Sequence, residues 1–125
     1  MIHSIILPGG GEVEKNKEDE LMDGLILELR RGTIILGVLS QLKTPQYGYS
    51  LILILQEKGL NVDTNTLYPL LRRLEKQGIL KSTWDTEGNK PRKYYEMSEL
   101  GENLYKKLCE SWKEVEGILD SLIKS

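Results

Sequence analysis

Asn65, Thr66, Tyr68, Arg72, Arg73 and Lys76 bring three hydrogen-bonding side chains and three cations into one short stretch. On a helical wheel Leu67, Leu70, Leu71 and Leu74 gather into an arc of about 100°. Asn65, Pro69, Arg72 and Lys76 then fall on the opposite side, with Thr66 and Arg73 on one flank and Tyr68 on the other. Asn, Thr and Tyr near a helix N-terminus can meet base edges, and Arg and Lys further along can meet phosphates. A second basic group, Lys90, Arg92 and Lys93, follows Gly88 and Asn89 in a turn-rich stretch, which suits contact with a sugar-phosphate backbone. Together the two groups point to double-stranded DNA. The rival reading of the same residues is a protein-interaction module whose basic face meets an acidic partner.

Other chemistry is hard to build from this chain. His3 and Cys109 are its single histidine and single cysteine, so no internal disulfide, no Cys/His zinc cluster and no Ser-His-Asp or Cys-His arrangement is expected. No phosphate loop is present either. The expectation is a non-enzyme with no cofactor and no metal site. With 125 residues, 39% hydrophobic and 29% charged, the chain has the composition of one globular domain. Its apolar runs are too short for a membrane span, and the first residues lack a secretory pattern, so a cytoplasmic location is expected. The net charge of −2 is unevenly spread. Residues 1–24 carry two bases and six acids, residues 25–97 eleven bases and seven acids, and residues 98–125 four bases and six acids. Any surface for a polyanion belongs to the middle segment.

Several elements must position these groups. Residues 1–21 read as an extension or arm, with an apolar piece from Ile2 to Leu7, the break Pro8-Gly9-Gly10-Gly11 and an acidic run from Glu12 to Glu20. Apolar residues from Leu25 to Leu42 follow a helical period and predict one helix, buried on more than one side, with Gly32 and Gly37 as its weak points. Lys43-Thr44-Pro45 ends it, and a second helix is expected from near Gln46 to Lys58. Gly59 suits the left-handed residue past a helix end, with Leu60 folding back on Leu55, and Gly78 repeats the pattern after a third helix that begins within Asp63–Thr66. The short link between these helices is that of a helix-turn-helix. Pro69 fits if it lies about where the first intrahelical bond would form. The period then changes to alternation over residues 79–84 and 92–97, around a polar turn, which predicts a β-hairpin with a basic tip. Tyr94 and Tyr95 should face opposite sides of the strand. Ser98 is a suitable cap for a final helix to about Lys124, roughly 40 Å long.

The stretch Tyr47-Gly48-Tyr49, the run Thr66-Leu67-Tyr68-Pro69-Leu70-Leu71-Arg72-Arg73-Leu74-Glu75-Lys76-Gln77-Gly78-Ile79, and Arg92-Lys93-Tyr94-Tyr95 followed by Ser98-Glu99-Leu100-Gly101 resemble the PadR family of transcriptional regulators. The resemblance covers roughly residues 22–125. It implies a mainly α fold with a small β-hairpin: a winged helix-turn-helix plus a long C-terminal dimerisation helix, in the compact subtype with a single such helix. The expected division is 1–21 as arm, 22–97 as DNA-binding domain and 98–125 as dimerisation helix. The implied function is a homodimeric repressor reading a near-palindromic operator. The apolar residues of the last helix span an arc of about 140°, too wide for one groove. Leu108, Val115 and Leu122 at one heptad position and Leu104, Ser111 and Ile118 at the other make a seam for a partner helix, with Tyr105, Trp112 and Leu119 beside it. Family members that bind several drugs are similar in Glu110-Ser111-Trp112, which implies that Trp112 stacks a small, planar aromatic effector; the other reading is a plain interface tryptophan.

Overall fold

Asn16 opens a helix by accepting the Asp19 N–H on its side-chain oxygen at 2.9 Å. The computed structural model describes residues 3–6 and 12–125, and the chain divides into two compact units, Met1–Thr33 and Ile34–Ser125. In the first unit β1 (His3–Ile6) pairs antiparallel with β2 (Glu12–Lys15), Ile6 opposite Glu12. The helix that Asn16 caps is α1 (Lys17–Arg31), with Glu18, Asp19 and Glu20 in its first turn and Arg30 and Arg31 in its last. That arrangement matches the helix dipole at both ends. The break expected at Pro8-Gly9-Gly10-Gly11 lies outside the described residues.

Two expectations for this region are corrected. The period over 25–42 does not give one helix: α1 ends at Arg31, and α2 (Ile34–Ser40) is a separate helix. Thr33 turns both its N–H (3.0 Å) and its hydroxyl (2.7 Å) onto the Arg30 carbonyl, a local turn that competes with helical continuation beside a glycine of poor helix propensity. Burial is confined to the second half of the stretch, where Val38, Leu39 and Leu42 are buried and no residue of α2 is exposed. Residues of α1 are not buried, and Leu21, Met22, Leu25, Leu27 and Leu29 are exposed. Residue 22, where the DNA-binding part was expected to start, lies inside α1.

In the second unit, β3 (Gln46–Tyr47) leads into α3 (Gly48–Glu57), α4 (Thr64–Lys76), β4 (Leu80–Asp85), β5 (Arg92–Met97) and α5 (Glu99–Lys124). The strands form one antiparallel sheet in the order β3-β5-β4, with Leu80 opposite Met97, Ser82 opposite Tyr95 and Tyr47 opposite Tyr94. The alternating pattern finds β4 and β5; β3 is too short to show a period. Gly59 and Gly78 have φ of 93° and 79°, and the N–H of the following residue reaches back to Leu55 (2.8 Å) and Leu74 (2.9 Å). Both helices therefore end as expected, because only glycine adopts that backbone without steric cost.

The core joins α2, α3, α4 and the base of the hairpin through Leu39, Leu42, Leu51, Leu55, Leu67, Leu71, Leu74, Leu80 and Tyr95, all buried. The N-terminus of α5 is fixed to that core. Ser98 caps α5 by accepting the Gly101 N–H at 3.0 Å, its hydroxyl donates to the Gly78 carbonyl at 2.6 Å, and its N–H donates to the Ile79 carbonyl at 3.0 Å. Gly101 lies against that same Ile79 carbonyl, where a Cβ would collide with backbone.

Candidate nucleic-acid interface

Asp63 starts α4 by accepting the Thr66 N–H on its side chain at 2.8 Å, which satisfies a first-turn donor and fixes where the helix begins after the short link from α3. Leu67, Leu70, Leu71 and Leu74 are buried, so the expected leucine stripe is the inner face of α4. The outer face carries Asn65, Thr66, Pro69, Arg72, Arg73 and Lys76, all exposed. Pro69 sits deeper than expected. The first bond of helical spacing is already donated by Leu67 to the Asp63 carbonyl at 2.9 Å, so Pro69 lies inside the helix and has no N–H to give the Asn65 carbonyl.

Tyr68 departs from the expected exposed face. It is half-buried and packs against the core, with its ring over Gly48, where a Cβ would stand 2.7 Å from Tyr68 Cε1. This close approach is the physical reason for a glycine between Tyr47 and Tyr49. Burial, with the neighbouring Tyr47, Tyr95 and Tyr49 hydroxyls, holds the Tyr68 phenol above its ordinary pKa. Its aromatic body thus joins α3 to α4. As expected, Tyr94 and Tyr95 diverge: Tyr95 enters the core and half-buried Tyr94 packs beside Tyr47, ring centroids 6.0 Å apart.

The hairpin splits the second basic group. Lys90 and Arg92 are exposed, and the Arg92 guanidinium lies 5.3 Å from the centre of the Tyr47 ring. Lys93, expected beside them at the tip, is instead half-buried, with its ammonium 2.8 Å from Glu75 Oε1. The hydrogen bond from Lys93, reinforced by that from Ser82, keeps the Glu75 carboxyl below the usual carboxylate range, and Glu75 in turn raises the pKa of Lys93. Trp84 is a further residue of this surface that sequence reasoning passed over. It is 62% exposed and pairs with Lys93 across the hairpin. Alternation places it on the same side of β4 as buried Leu80, and its exposure follows from its place near the distal end of the strand, where Thr83 to Arg92 are all exposed.

The expected seam residues of α5 divide into two groups. Leu104 and Leu108 are half-buried, Leu108 against the core of its own chain. From Glu110 onward every residue is exposed, including Trp112, Val115, Ile118, Leu119, Leu122 and Ile123. Among the described residues no helix is long and apolar enough to cross a membrane, and no group of His, Cys, Asp and Glu is placed to hold a metal.

A helix pair with a tight link, the second helix buried on one side and polar and basic on the other, followed by a two-stranded hairpin, defines a winged helix-turn-helix protein. The profile of the transcriptional regulator PadR-like family matches residues 35–107. The chain belongs to that family. It is similar to solved structures of a PadR family transcriptional regulator from Eggerthella lenta (42% identity, TM-score 0.83, covering 86% of this chain and 96% of that one) and of a PadR-like transcription factor from Bacteroides fragilis (35%, 0.65, 80% and 99%). A transcriptional regulator from Clostridium thermocellum is also similar (31%, 0.68, 75% and 96%). No curated protein matches the chain.

Proposed function

We propose that this PadR-family regulator is a cytoplasmic, homodimeric repressor that reads a near-palindromic operator sequence-specifically. The observation that carries the reading is the outer face of α4, where exposed Asn65 and Thr66 precede exposed Arg72, Arg73 and Lys76 on a helix whose inner face is anchored by buried leucines. Such a helix enters the major groove with its first turn at base edges and its cations at phosphates. Lys90 and Arg92 on the hairpin add backbone contacts. The DNA-reading part ends at Met97, and the helix from Ser98 onward joins two copies, because its apolar C-terminal half is uncovered within one chain. A two-fold dimer presents two copies of α4 to two half-sites.

The test is a gel shift on the protein's own promoter fragment at two salt concentrations. A sequence-preferring complex that weakens with salt is expected. Equal affinity for all sequences defeats the operator reading, and binding only to an acidic protein replaces it with the interaction-module reading. The hairpin contributes through charge, so Lys90→Gln and Arg92→Gln are each expected to lower the slope of log affinity against log salt by about 0.9.

An effector completes the proposal: Trp112 of the two copies stacks a planar aromatic molecule at the dimer centre. Saturable quenching of tryptophan fluorescence by aromatic cations is then expected, lost in Trp112→Ala while the dimer survives. Quenching that persists without Trp112 returns that residue to packing alone.

A further inference from the structure

Glu75 is the acidic residue of α4, and it lies between Arg73 and Lys76 on the helix proposed to face phosphates. A solvated carboxylate there would oppose DNA binding. Its actual surroundings are different. The carboxylate is 30% exposed, its Oε1 accepts from the Lys93 ammonium at 2.8 Å, and its Oε2 accepts from the Ser82 hydroxyl. Ser82 belongs to β4 and Lys93 to β5, so one side chain of α4 holds both strands of the hairpin, one with each oxygen.

The place of this contact along the hairpin gives it mechanical leverage. Below it, Leu80, Tyr95 and Met97 root the strands in the core. Above it, every residue from Thr83 to Arg92 is exposed. A two-stranded ribbon without cover twists readily. At about 3.3 Å per residue, the ends of the strands at Asp85 and Arg92 lie roughly 10 Å beyond Ser82, so a small rotation at the base moves the distal cations by much more. Lys93 is committed to this contact, its ammonium also lying 5.0 Å from the centre of the Tyr95 ring and 5.9 Å from that of Trp84.

We propose that Glu75 is a positioning residue which, through Ser82 and Lys93, sets the direction of the hairpin relative to α4. Lys90 and Arg92 on one element and Arg72 and Arg73 on the other then reach phosphates of one duplex together. Lys93 serves DNA binding by holding Glu75 and touches no phosphate. The inference rests on the DNA-binding reading above.

The test compares the full-length wild type with Glu75→Gln, Lys93→Gln, the double variant, and the charge-exchanged chain carrying Glu75→Lys with Lys93→Glu. Amide hydrogen exchange over residues 81–97 is read first, without DNA. Faster exchange of the paired hairpin amides in Glu75→Gln, with α4 and the core unchanged, is expected; unchanged exchange overturns the proposal. This readout holds even if the wild type binds no DNA, in which case the DNA-binding reading is what fails. Operator affinity is read second, across a salt series. Each single variant is expected to bind roughly five- to tenfold more weakly with the wild-type salt slope, the double variant to be no worse than either single, and the exchanged pair to recover most of the loss. Glu75→Gln that binds as tightly as wild type, or more tightly, overturns the proposal. So does a slope lowered by about 0.9 in Lys93→Gln, the signature of a phosphate contact. If Glu75→Gln does not fold, the charge-exchanged chain decides: recovered affinity supports the latch, and lost affinity in a folded chain rejects it.

Discussion

The wild type is expected to sediment as a dimer, and the double variant Val115→Asp/Ile118→Asp as a monomer at the same concentration. Val115 and Ile118 are 45% and 54% exposed on a helix whose residues from Glu110 onward touch nothing that buries them. Leu119 and Leu122 extend the same apolar face at 44% and 65% exposure. A strip of this kind on one helix gains by pairing with its own symmetry mate, and an isologous interface uses the same patch of both copies, so each substitution enters the seam twice. Aspartates at both positions would place like charges from the two copies in one apolar seam, at a cost of several kcal/mol. The same substitutions on an exposed helix of a monomer should leave the winged unit folded, because Val115 and Ile118 contribute nothing to its core. Circular dichroism should therefore be near wild type while sedimentation changes. Operator affinity should fall steeply, since two half-sites are no longer read by one particle. A double variant that remains dimeric would place the interface elsewhere.

Replacing Arg72 and Arg73 by alanine, singly, is expected to weaken operator binding by about 1–3 kcal/mol each with the melting temperature nearly unchanged. Both side chains are exposed, and their neighbours Leu71 and Leu74 hold α4 to the core from the other side. The two variants need not fail alike. An arginine bidentate to a guanine loses discrimination at one operator position, whereas one bound to phosphate weakens all sequences equally and lowers the salt slope. A competition series over single-base operator variants separates the two roles. If neither substitution changes affinity in the folded protein, α4 is not the reading helix.

Much of this arrangement was legible in residue spacing. The leucine stripe of α4, the two glycine helix ends, the hairpin over residues 80–97 and the serine cap of α5 are local devices. Each is specified by residues within a few positions of one another, through backbone hydrogen bonds and the helical or strand period. The basic outer face of α4 was legible for the same reason, since fixing the inner face of a helix fixes the outer one.

Spacing also misled in definite ways. The period over 25–42 is nearly continuous, yet Thr33 diverts the Arg30 carbonyl and divides the stretch into α1 and α2. Tyr68 and Lys93 were expected on open surface because both are polar-tipped residues in basic surroundings, and the structure half-buries both. Their actual neighbours come from distant parts of the chain: Gly48 under the Tyr68 ring, and Glu75 against the Lys93 ammonium.

By itself, then, the sequence determined α4 with its leucine face, the glycine ends of α3 and α4, the hairpin strands β4 and β5, and the capped start of α5, because those features rest on short-range periodicity and capping. Only the tertiary structure decided which cations stay exposed, as Lys90 and Arg92 do, and which are paired within the fold, as Lys93 is. A lysine at residue 93 can pair with solvent, phosphate or carboxylate alike, and the choice falls to Glu75 because packing of α4 against β4 and β5 brings the two charges within 2.8 Å.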